Sequence, residues 1–211
     1  MKYTHVLFDL DGTLTDPKEG ITRCVQYALR YFGIEEDTER LIPFIGPPLA
    51  EMFERTYGID GRTAVEKYRE RYTEIGIFEN RVYDGAENML MHLKSAGMKI
   101  ALATSKPEIF ALRILERYGL IGYFDEVVGS ELDGGRTDKA EVIAEALRRL
   151  GNPDRSRAVM VGDRSHDVIG AQRCGIDCIA VSFGYAASGE LEGAGATVIA
   201  DTVDRLEELL I

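Results

Sequence analysis

The feature that most constrains this chain is an apolar run near its N-terminus that ends in two carboxylates. Residues 6–8 are apolar, and Asp9, Asp11 and Gly12 follow, with one leucine between the aspartates. In an extended chain, side chains alternate between faces, so both aspartates project to the same side while the strand lasts, and Gly12 then permits a sharp turn. Carboxylates this close repel each other unless a cation or a shared proton relieves the repulsion. The pattern predicts a buried strand that delivers a reactive carboxylate to a turn; the alternative is an acidic turn without a chemical role.

Three further polar groups follow in order and complete a candidate site. Residues 98–103 form a largely apolar run that leads to Thr104, and residues 158–161 lead in the same way to Asp163. Between them, Lys139 begins a segment whose apolar residues recur at helical spacing. Ligands of parallel sheets bind beyond the carboxyl ends of the strands, so we expect these side chains to gather with the two aspartates.

Taken together, these segments resemble the four motifs of the haloacid dehalogenase superfamily of phosphohydrolases. Residues 9–14 match the first motif, Thr104 the second, Lys139 the third, and residues 162–167 the fourth. Each match is weak alone, but four in this order on alternating strands and helices are specific. The whole chain resembles the phosphoglycolate phosphatase-like branch, which carries a small helical cap inserted just after the first motif.

The order of the expected elements indicates an α/β fold with a helical insertion. Residues 17–82 contain only helical apolar stripes, which predicts a small all-helical bundle. From residue 83 onward strands and helices alternate, which predicts a Rossmann-like parallel sheet with helices on both faces. We therefore assign residues 1–16 and 83–211 to a haloacid dehalogenase-like catalytic core, and residues 17–82 to a helical cap domain.

Charge and hydropathy exclude several classes of protein. The formal net charge of -11 disfavours binding to nucleic acids and anionic membranes. No signal peptide is apparent, and no apolar run is long enough to span a bilayer. The three cysteines have no metal-binding or redox spacing and are typical of reduced thiols. We expect a cytoplasmic protein that acts on a small phosphorylated metabolite, with its oligomeric state left open.

The resemblance implies distinct roles for the acidic residues. Asp9 is expected to attack phosphorus and form an aspartyl-phosphate, and the side chain of Asp11 to act as general acid and base. Magnesium suits the available hard oxygen ligands, and we expect it on Asp9, Asp163 and the backbone carbonyl of Asp11. Asp167 either orients water ligands of the metal or caps a helix N-terminus.

Hydroxyl and ammonium groups are expected to hold the phosphoryl group. Thr104 would donate a hydrogen bond to a phosphoryl oxygen from the head of its helix, with Ser105 beside it as a substrate-binding residue. Lys139 would hold both Asp9 and the phosphoryl group as a point charge. The alternative for Lys139 is a solvated lysine on a helix.

The cap is expected to select the substrate and to exclude water when it closes over the core. Gly46 and Pro47 form a rigid turn between cap helices that either faces the active site or only connects them. Arg81 either reaches a second anionic group of the substrate or is a surface arginine.

These features favour a magnesium-dependent phosphomonoester hydrolase with an aspartyl-phosphate intermediate. The expected substrates are phosphoglycolate or a nucleoside 5′-monophosphate, because a modest cap suits a small molecule. One alternative is a phosphomutase like the β-phosphoglucomutases, which returns the phosphoryl group to sugar. A non-enzymatic alternative is a binding protein on the same fold, although every motif residue is in place.

Overall fold

The computed structural model describes residues 2–132 and 135–211, which form two compact units. The larger unit comprises Met1–Thr15 and Val82–Ile211, and the smaller unit comprises Asp16–Arg81. The smaller unit is thus a single insertion into the chain of the larger one.

Most strands of the described chain form one parallel sheet. The strands are β1 (His5–Phe8), β2 (Thr15–Asp16), β3 (Arg81–Val82), β4 (Lys99–Pro107), β5 (Glu126–Ser130), β6 (Ala158–Gly162), β7 (Asp177–Val181) and β8 (Ile199–Ala200). Six of them pair in the order β5-β4-β1-β6-β7-β8, and β2 pairs with β3 in a separate two-stranded sheet. Residues Val6, Leu7 and Phe8 of β1 are all fully buried, as expected for a parallel strand covered on both faces.

Both units contain helices. The smaller unit contains α1 (Lys18–Tyr31), α2 (Leu49–Tyr57) and α3 (Gly61–Tyr72), and the larger unit contains α4 (Ala86–Ser95), α5 (Glu108–Arg117), α6 (Lys139–Arg149), α7 (Ser165–Cys174), α8 (Glu190–Gly193) and α9 (Val203–Leu210). Short 3-10 helices span Thr38–Phe44, Gly76–Phe78, Ile121–Tyr123 and Arg155–Arg157. The prediction of an α/β fold with a parallel sheet is therefore confirmed.

The apolar stripe of α6 holds that helix against the sheet. Val142, Ile143 and Leu147 are fully buried in one cluster with Leu7 of β1 and Met160 of β6. Full burial of each such side chain is worth about 1.5–3 kcal/mol relative to exposure. The helix that this cluster holds begins at Lys139.

The smaller unit has an apolar core of its own. The inward stripe of α1 includes Cys24, Val25 and Leu29, which are fully buried. The ring centroids of Phe44 and Phe53 lie 5.1 Å apart. These contacts explain why residues 17–82 contain helical stripes with no strand pattern.

Strand β4 continues beyond the expected point, which corrects the position of Thr104. The strand extends to Pro107, and α5 begins only at Glu108, so Thr104 is not at the head of its helix. Helical geometry is disfavoured for the residue before a proline, which explains why the chain stays extended here. The pairing of β4 with β5 shifts register between Ala103 and Pro107.

Two further observations concern the chain as a whole. All three cysteines, Cys24, Cys174 and Cys178, are free thiols. Among the described residues, no helix combines the length and the apolarity needed to cross a membrane.

Candidate active site

Three buried carboxylates meet at the carboxyl edge of the sheet. Asp9 follows β1, Asp163 follows β6, and Asp167 lies in the first turn of α7. One oxygen of each lies within 4.8 Å of the others, and all three residues are buried. Strand pairing brings them together, since Phe8 is in register with Val161 and the Asp9 N–H donates to the Val161 carbonyl at 2.8 Å. The sheet thus forces like charges into one small volume.

Asp163 has one hydrogen-bonded oxygen and one that lacks a partner. Its Oδ2 accepts a hydrogen bond from the Tyr185 N–H at 2.7 Å. Its Oδ1 is buried and accepts no hydrogen bond from any described residue. Burial first, and then the charges of Asp167 and Asp9, raise the pKa of Asp163 well above its usual value. An ionised Asp163 therefore requires a cation nearby.

Glycines make room for these carboxylates. A Cβ on Gly12, which has a φ of 83°, or on Gly184 would overlap the side chain of Asp163. A Cβ on Gly162 would overlap the carboxyl group of Asp167. Sequence analysis missed Gly184 because residues 184–195 match no known glycine-rich motif. Its role depends on an approach to Asp163 that the local sequence does not encode.

Lys139 links two of the carboxylates. Its Nζ lies 3.1 Å from Oδ1 of Asp9 and 2.8 Å from Oδ1 of Asp167, and it donates to the Ala103 carbonyl at 3.0 Å. Burial opposes the charge of the ammonium group, but Asp167 and Asp9 outweigh it and raise the pKa of Lys139. Lys139 is buried and charged, so the alternative of a solvated lysine is wrong.

The carboxyl group of Asp167 contacts both the N-cap residue of α7 and Lys139. Its Oδ2 accepts a hydrogen bond from the Arg164 N–H at 3.0 Å, while Oδ1 contacts Lys139. The N-cap position belongs to Arg164, and Asp167 is the third helical residue, so the N-cap alternative is wrong. Burial raises the pKa of Asp167, although the Lys139 ammonium partly offsets this effect.

Glu190 ties the chain after β7 to the beginning of α7. Its Oε1 accepts hydrogen bonds from the Ser165 N–H and from Arg164 Nε, and its Oε2 accepts one from the Ala187 N–H, all at 2.9 Å. Burial opposes ionisation, but these donors outweigh it and lower the pKa of Glu190 to about 2. Glu190 therefore helps to fix the segment that provides the Tyr185 N–H to the site.

Asp11 forms an ion pair that sequence analysis did not predict. Its Oδ2 lies 2.6 Å from Nζ of Lys106, and the two side chains are 12% and 6% exposed. Burial raises the pKa of Asp11, and the charge of Lys106 works against that rise. The available signal was strand alternation, which places Lys106 on the same face of β4 as Thr104.

The hydroxyl residues of β4 lie beside this ion pair in sequence. Thr104 is buried, and its Oγ1 accepts a hydrogen bond from the Lys106 N–H at 3.2 Å. The carbonyl of Ser105 accepts a hydrogen bond from the Ser130 hydroxyl at 2.8 Å. The extended chain from residue 104 to residue 106 is therefore held from two directions.

The remaining predicted residues lie in the smaller unit. Gly46, with a φ of 104°, and Pro47 lie between a 3-10 helix and α2. Arg81 donates to Oδ2 of Asp16 from Nε at 3.0 Å and from Nη2 at 2.8 Å, and its side chain is 77% exposed. Arg81 also lines a cavity of about 610 Å³ together with Lys18 and other charged side chains.

The donor set of the larger unit fits a divalent cation. Asp9, Asp11, Asp163 and Asp167 are opposed by two lysines, Lys139 and Lys106, so two negative charges remain if every group is ionised. The candidate ligands are carboxylate oxygens, which magnesium prefers. The unpartnered Oδ1 of Asp163 provides a place for such an ion.

Comparison with known proteins gives a consistent result. The family model described as haloacid dehalogenase-like hydrolase matches residues 6–181. A Pseudomonas aeruginosa protein named 5′-nucleotidase is 44% identical, over 100% of this chain and 96% of its own length. A Mycobacterium tuberculosis protein named tyrosine-protein kinase PtkA is 40% identical, over 97% of this chain and 72% of its own length. A phosphoglycolate phosphatase of Aquifex aeolicus is 30% identical, over 85% of both chains.

A solved structure has the same fold. The crystal structure of a predicted phosphatase from Clostridium acetobutylicum superposes with a TM-score of 0.95 at 44% identity. The match covers 100% of this chain and 99% of the solved chain. The similarity therefore extends over both units of the chain.

We predict that Gly184→Ala lowers phosphate-ester hydrolysis at least about tenfold, because the added methyl group displaces the Asp163 carboxylate. The matched control is Gly193→Ala in α8, where a Cβ meets nothing within 4 Å. Steady-state hydrolysis of p-nitrophenyl phosphate measures both variants, and thermal unfolding confirms that they fold. Equal activity of the two variants would contradict the steric role of Gly184.

Proposed function

The chain belongs to the haloacid dehalogenase-like hydrolase family and is a phosphatase, and we propose that it hydrolyses small phosphate monoesters with magnesium through an aspartyl-phosphate on Asp9. Its resemblance within the family is to the phosphoglycolate phosphatase-like branch. The observation that carries the proposal is that Asp9 lies 3.1 Å from the Lys139 ammonium group and within 4.8 Å of an Asp163 carboxylate oxygen.

In the first half of the reaction, an Asp9 carboxylate oxygen attacks phosphorus and the bond to the leaving oxygen breaks. The Lys139 ammonium group, 3.1 Å from Asp9, holds the attacking carboxylate and attracts the phosphoryl oxygens. Thr104, buried at the same edge of the sheet, donates a hydrogen bond from its hydroxyl group to a phosphoryl oxygen. The products of this step are the aspartyl-phosphate and the leaving alcohol.

Asp11 moves the protons of both half-reactions. Its carboxylic acid protonates the leaving oxygen, and the resulting carboxylate then takes a proton from the water that attacks the aspartyl-phosphate. Inorganic phosphate leaves, and Asp9 and protonated Asp11 are regenerated. Burial raises the pKa of Asp11, and the charge of Lys106 works against that rise.

Asp9, Asp163 and the backbone carbonyl of Asp11 would hold magnesium. The bound ion supplies positive charge that offsets repulsion between the Asp9 carboxylate and the anionic ester. Asp167 holds Lys139 at 2.8 Å and keeps its ammonium group directed at Asp9. Removal of Asp167 is thus expected to misplace a charge that the nucleophile needs.

We take a nucleoside 5′-monophosphate as the first candidate substrate and phosphoglycolate as the second. The 5′-nucleotidase that is 44% identical over the whole chain supports the first, and the phosphoglycolate phosphatase at 30% identity supports the second. In this proposal the smaller unit is the cap domain, with Gly46, Pro47 and Arg81 as its candidate substrate-binding residues, and Ser105 is a candidate substrate-binding residue of the larger unit. Free thiols suit a cytoplasmic enzyme.

Asp9→Asn is expected to lower turnover at least about 10³-fold, because an amide is a far weaker nucleophile than a carboxylate. Phosphate release from p-nitrophenyl phosphate measures turnover. Acid quenching followed by mass analysis detects the phosphoryl group that is expected on Asp9 of the wild-type protein. Asp177→Asn, at the opposite end of the sheet in a surface pair with Lys2, is the control. Full activity of the Asp9 variant would rule out the mechanism.

Magnesium is expected to raise the melting temperature of the wild-type protein relative to EDTA, by about 2–4 °C for each kcal/mol of binding free energy. Asp163→Asn should abolish this rise and, in EDTA, melt at or above the wild-type temperature, because one of the repelling charges is gone. Asp201→Asn, an exposed residue, is the control and should keep the full rise. Retention of the rise in the Asp163 variant would exclude Asp163 as a ligand.

A panel of phosphate esters is expected to give the highest kcat/KM for a nucleoside 5′-monophosphate, with water as the acceptor. Product analysis should include a hexose 1-phosphate and a tyrosine-containing peptide, since the mutase alternative and the relative named tyrosine-protein kinase PtkA both involve acceptor hydroxyls. Free phosphate in equal amount to the released alcohol is the expected balance. Formation of isomerised sugar phosphate or of phosphopeptide without free phosphate would show that the enzyme transfers the phosphoryl group to another hydroxyl and does not hydrolyse the ester.

A further inference from the structure

Lys106 is a half-buried lysine for which neither the four motifs nor the proposed mechanism provides a role. It lies near the carboxyl end of β4, and its side chain is 6% exposed. A buried ammonium group is strongly unfavourable unless it is paired, and the charge that faces this one is Oδ2 of Asp11 at 2.6 Å. The extended overrun of β4 brings the lysine to this position.

The contact with Lys106 involves one of the two carboxyl oxygens of Asp11, Oδ2. The other carboxyl oxygen, Oδ1, is buried and accepts no hydrogen bond from the described residues. Asp11 follows β1 just before Gly12, whose positive φ turns the chain away. Nothing else among the described hydrogen bonds fixes the direction of this carboxyl group, so its orientation depends on Lys106.

The two lysines of the site contact different acidic residues at short distance. Lys139 contacts Asp9, Asp167 and the Ala103 carbonyl, and so serves the attacking carboxylate. Lys106 contacts Asp11, which is not the attacking group. Lys139 therefore contacts the attacking carboxylate, and Lys106 contacts the carboxyl group assigned to proton transfer.

We propose that Lys106 is a positioning residue that holds the Asp11 carboxyl group in the orientation needed for proton transfer to the leaving oxygen. This inference rests on the acid–base role proposed for Asp11. A hydrogen bond from a charged donor on one oxygen leaves the second oxygen to face the ester. Loss of the lysine frees the carboxyl group to rotate, which lowers the fraction of molecules in reacting geometry.

The role has a kinetic signature that a binding or structural role lacks. Nitrophenolate leaves readily without a proton, whereas the alkoxide of a nucleoside or of glycolate requires one. A defect in the orientation of Asp11 therefore slows alkyl esters much more than aryl esters. A defect in phosphoryl binding or in folding slows both.

The test measures release of the leaving group in a single turnover with enzyme in excess, for AMP and for p-nitrophenyl phosphate. Lys106→Met should slow AMP at least about tenfold and p-nitrophenyl phosphate less than about threefold. Lys99→Met, on the same strand in an exposed pair with Asp125, is the control and should change neither rate. Equal slowing of both esters, or an AMP rate at saturating enzyme that matches the wild type, would overturn the proposal.

A double-mutant cycle with Asp11→Asn separates this inference from the proposed function. Lys106→Met should add less than about twofold to the defect of the Asp11 variant, since the group that it positions is already gone. If Asp11→Asn slows both esters equally, the acid role of Asp11 fails. If Asp11→Asn discriminates between the esters and Lys106→Met does not, only the positioning role fails. Lys106→Arg keeps the charge and should show a smaller loss confined to AMP, so it carries the test if Lys106→Met does not fold.

Discussion

The structure depends on a repulsion that the sheet imposes on its own carboxyl edge. Pairing of β1 with β6 places Asp9 beside Asp163, and the first turn of α7 adds Asp167 to the same volume. Coulomb repulsion between buried carboxylates is too strong to leave without compensation, and Lys139 accounts for only part of it. The apolar packing of the strands must therefore offset the residual repulsion until a cation or a proton arrives. At this site the repulsion between carboxylates lowers the folding stability, and the same carboxylates provide the reactive groups.

Much of the fold could be predicted because its signals are local. The apolar runs that end at Phe8 and Val161 mark strands buried on both faces, and the helical spacing after Lys139 marks α6. The convergence of the strand ends then follows from the parallel sheet alone. The chemical roles assigned to Asp9, Asp11 and Asp163 remain predictions that the kinetic and melting experiments address.

What the sequence did not reveal depends on contacts between distant segments. Gly184 and Tyr185 act on Asp163 across a stretch that contains α7 and β7, and no local pattern marks them. Lys106 was passed over because Thr104 was expected at the head of a helix, whereas the proline after Lys106 keeps β4 extended. In both cases the missing information was which backbone segments lie close to each other. Those approaches exist only in the assembled sheet.

The position of β1 in the middle of the sheet has a consequence for synthesis on the ribosome. β1 precedes both of its neighbours, β4 and β6, in the chain, and β6 begins only at Ala158. A nascent chain that lacks β6 carries Asp9 on a strand with one open edge and has no Asp163. Reactivity toward phosphate esters therefore arises only after the segment that contains Asp163 has emerged.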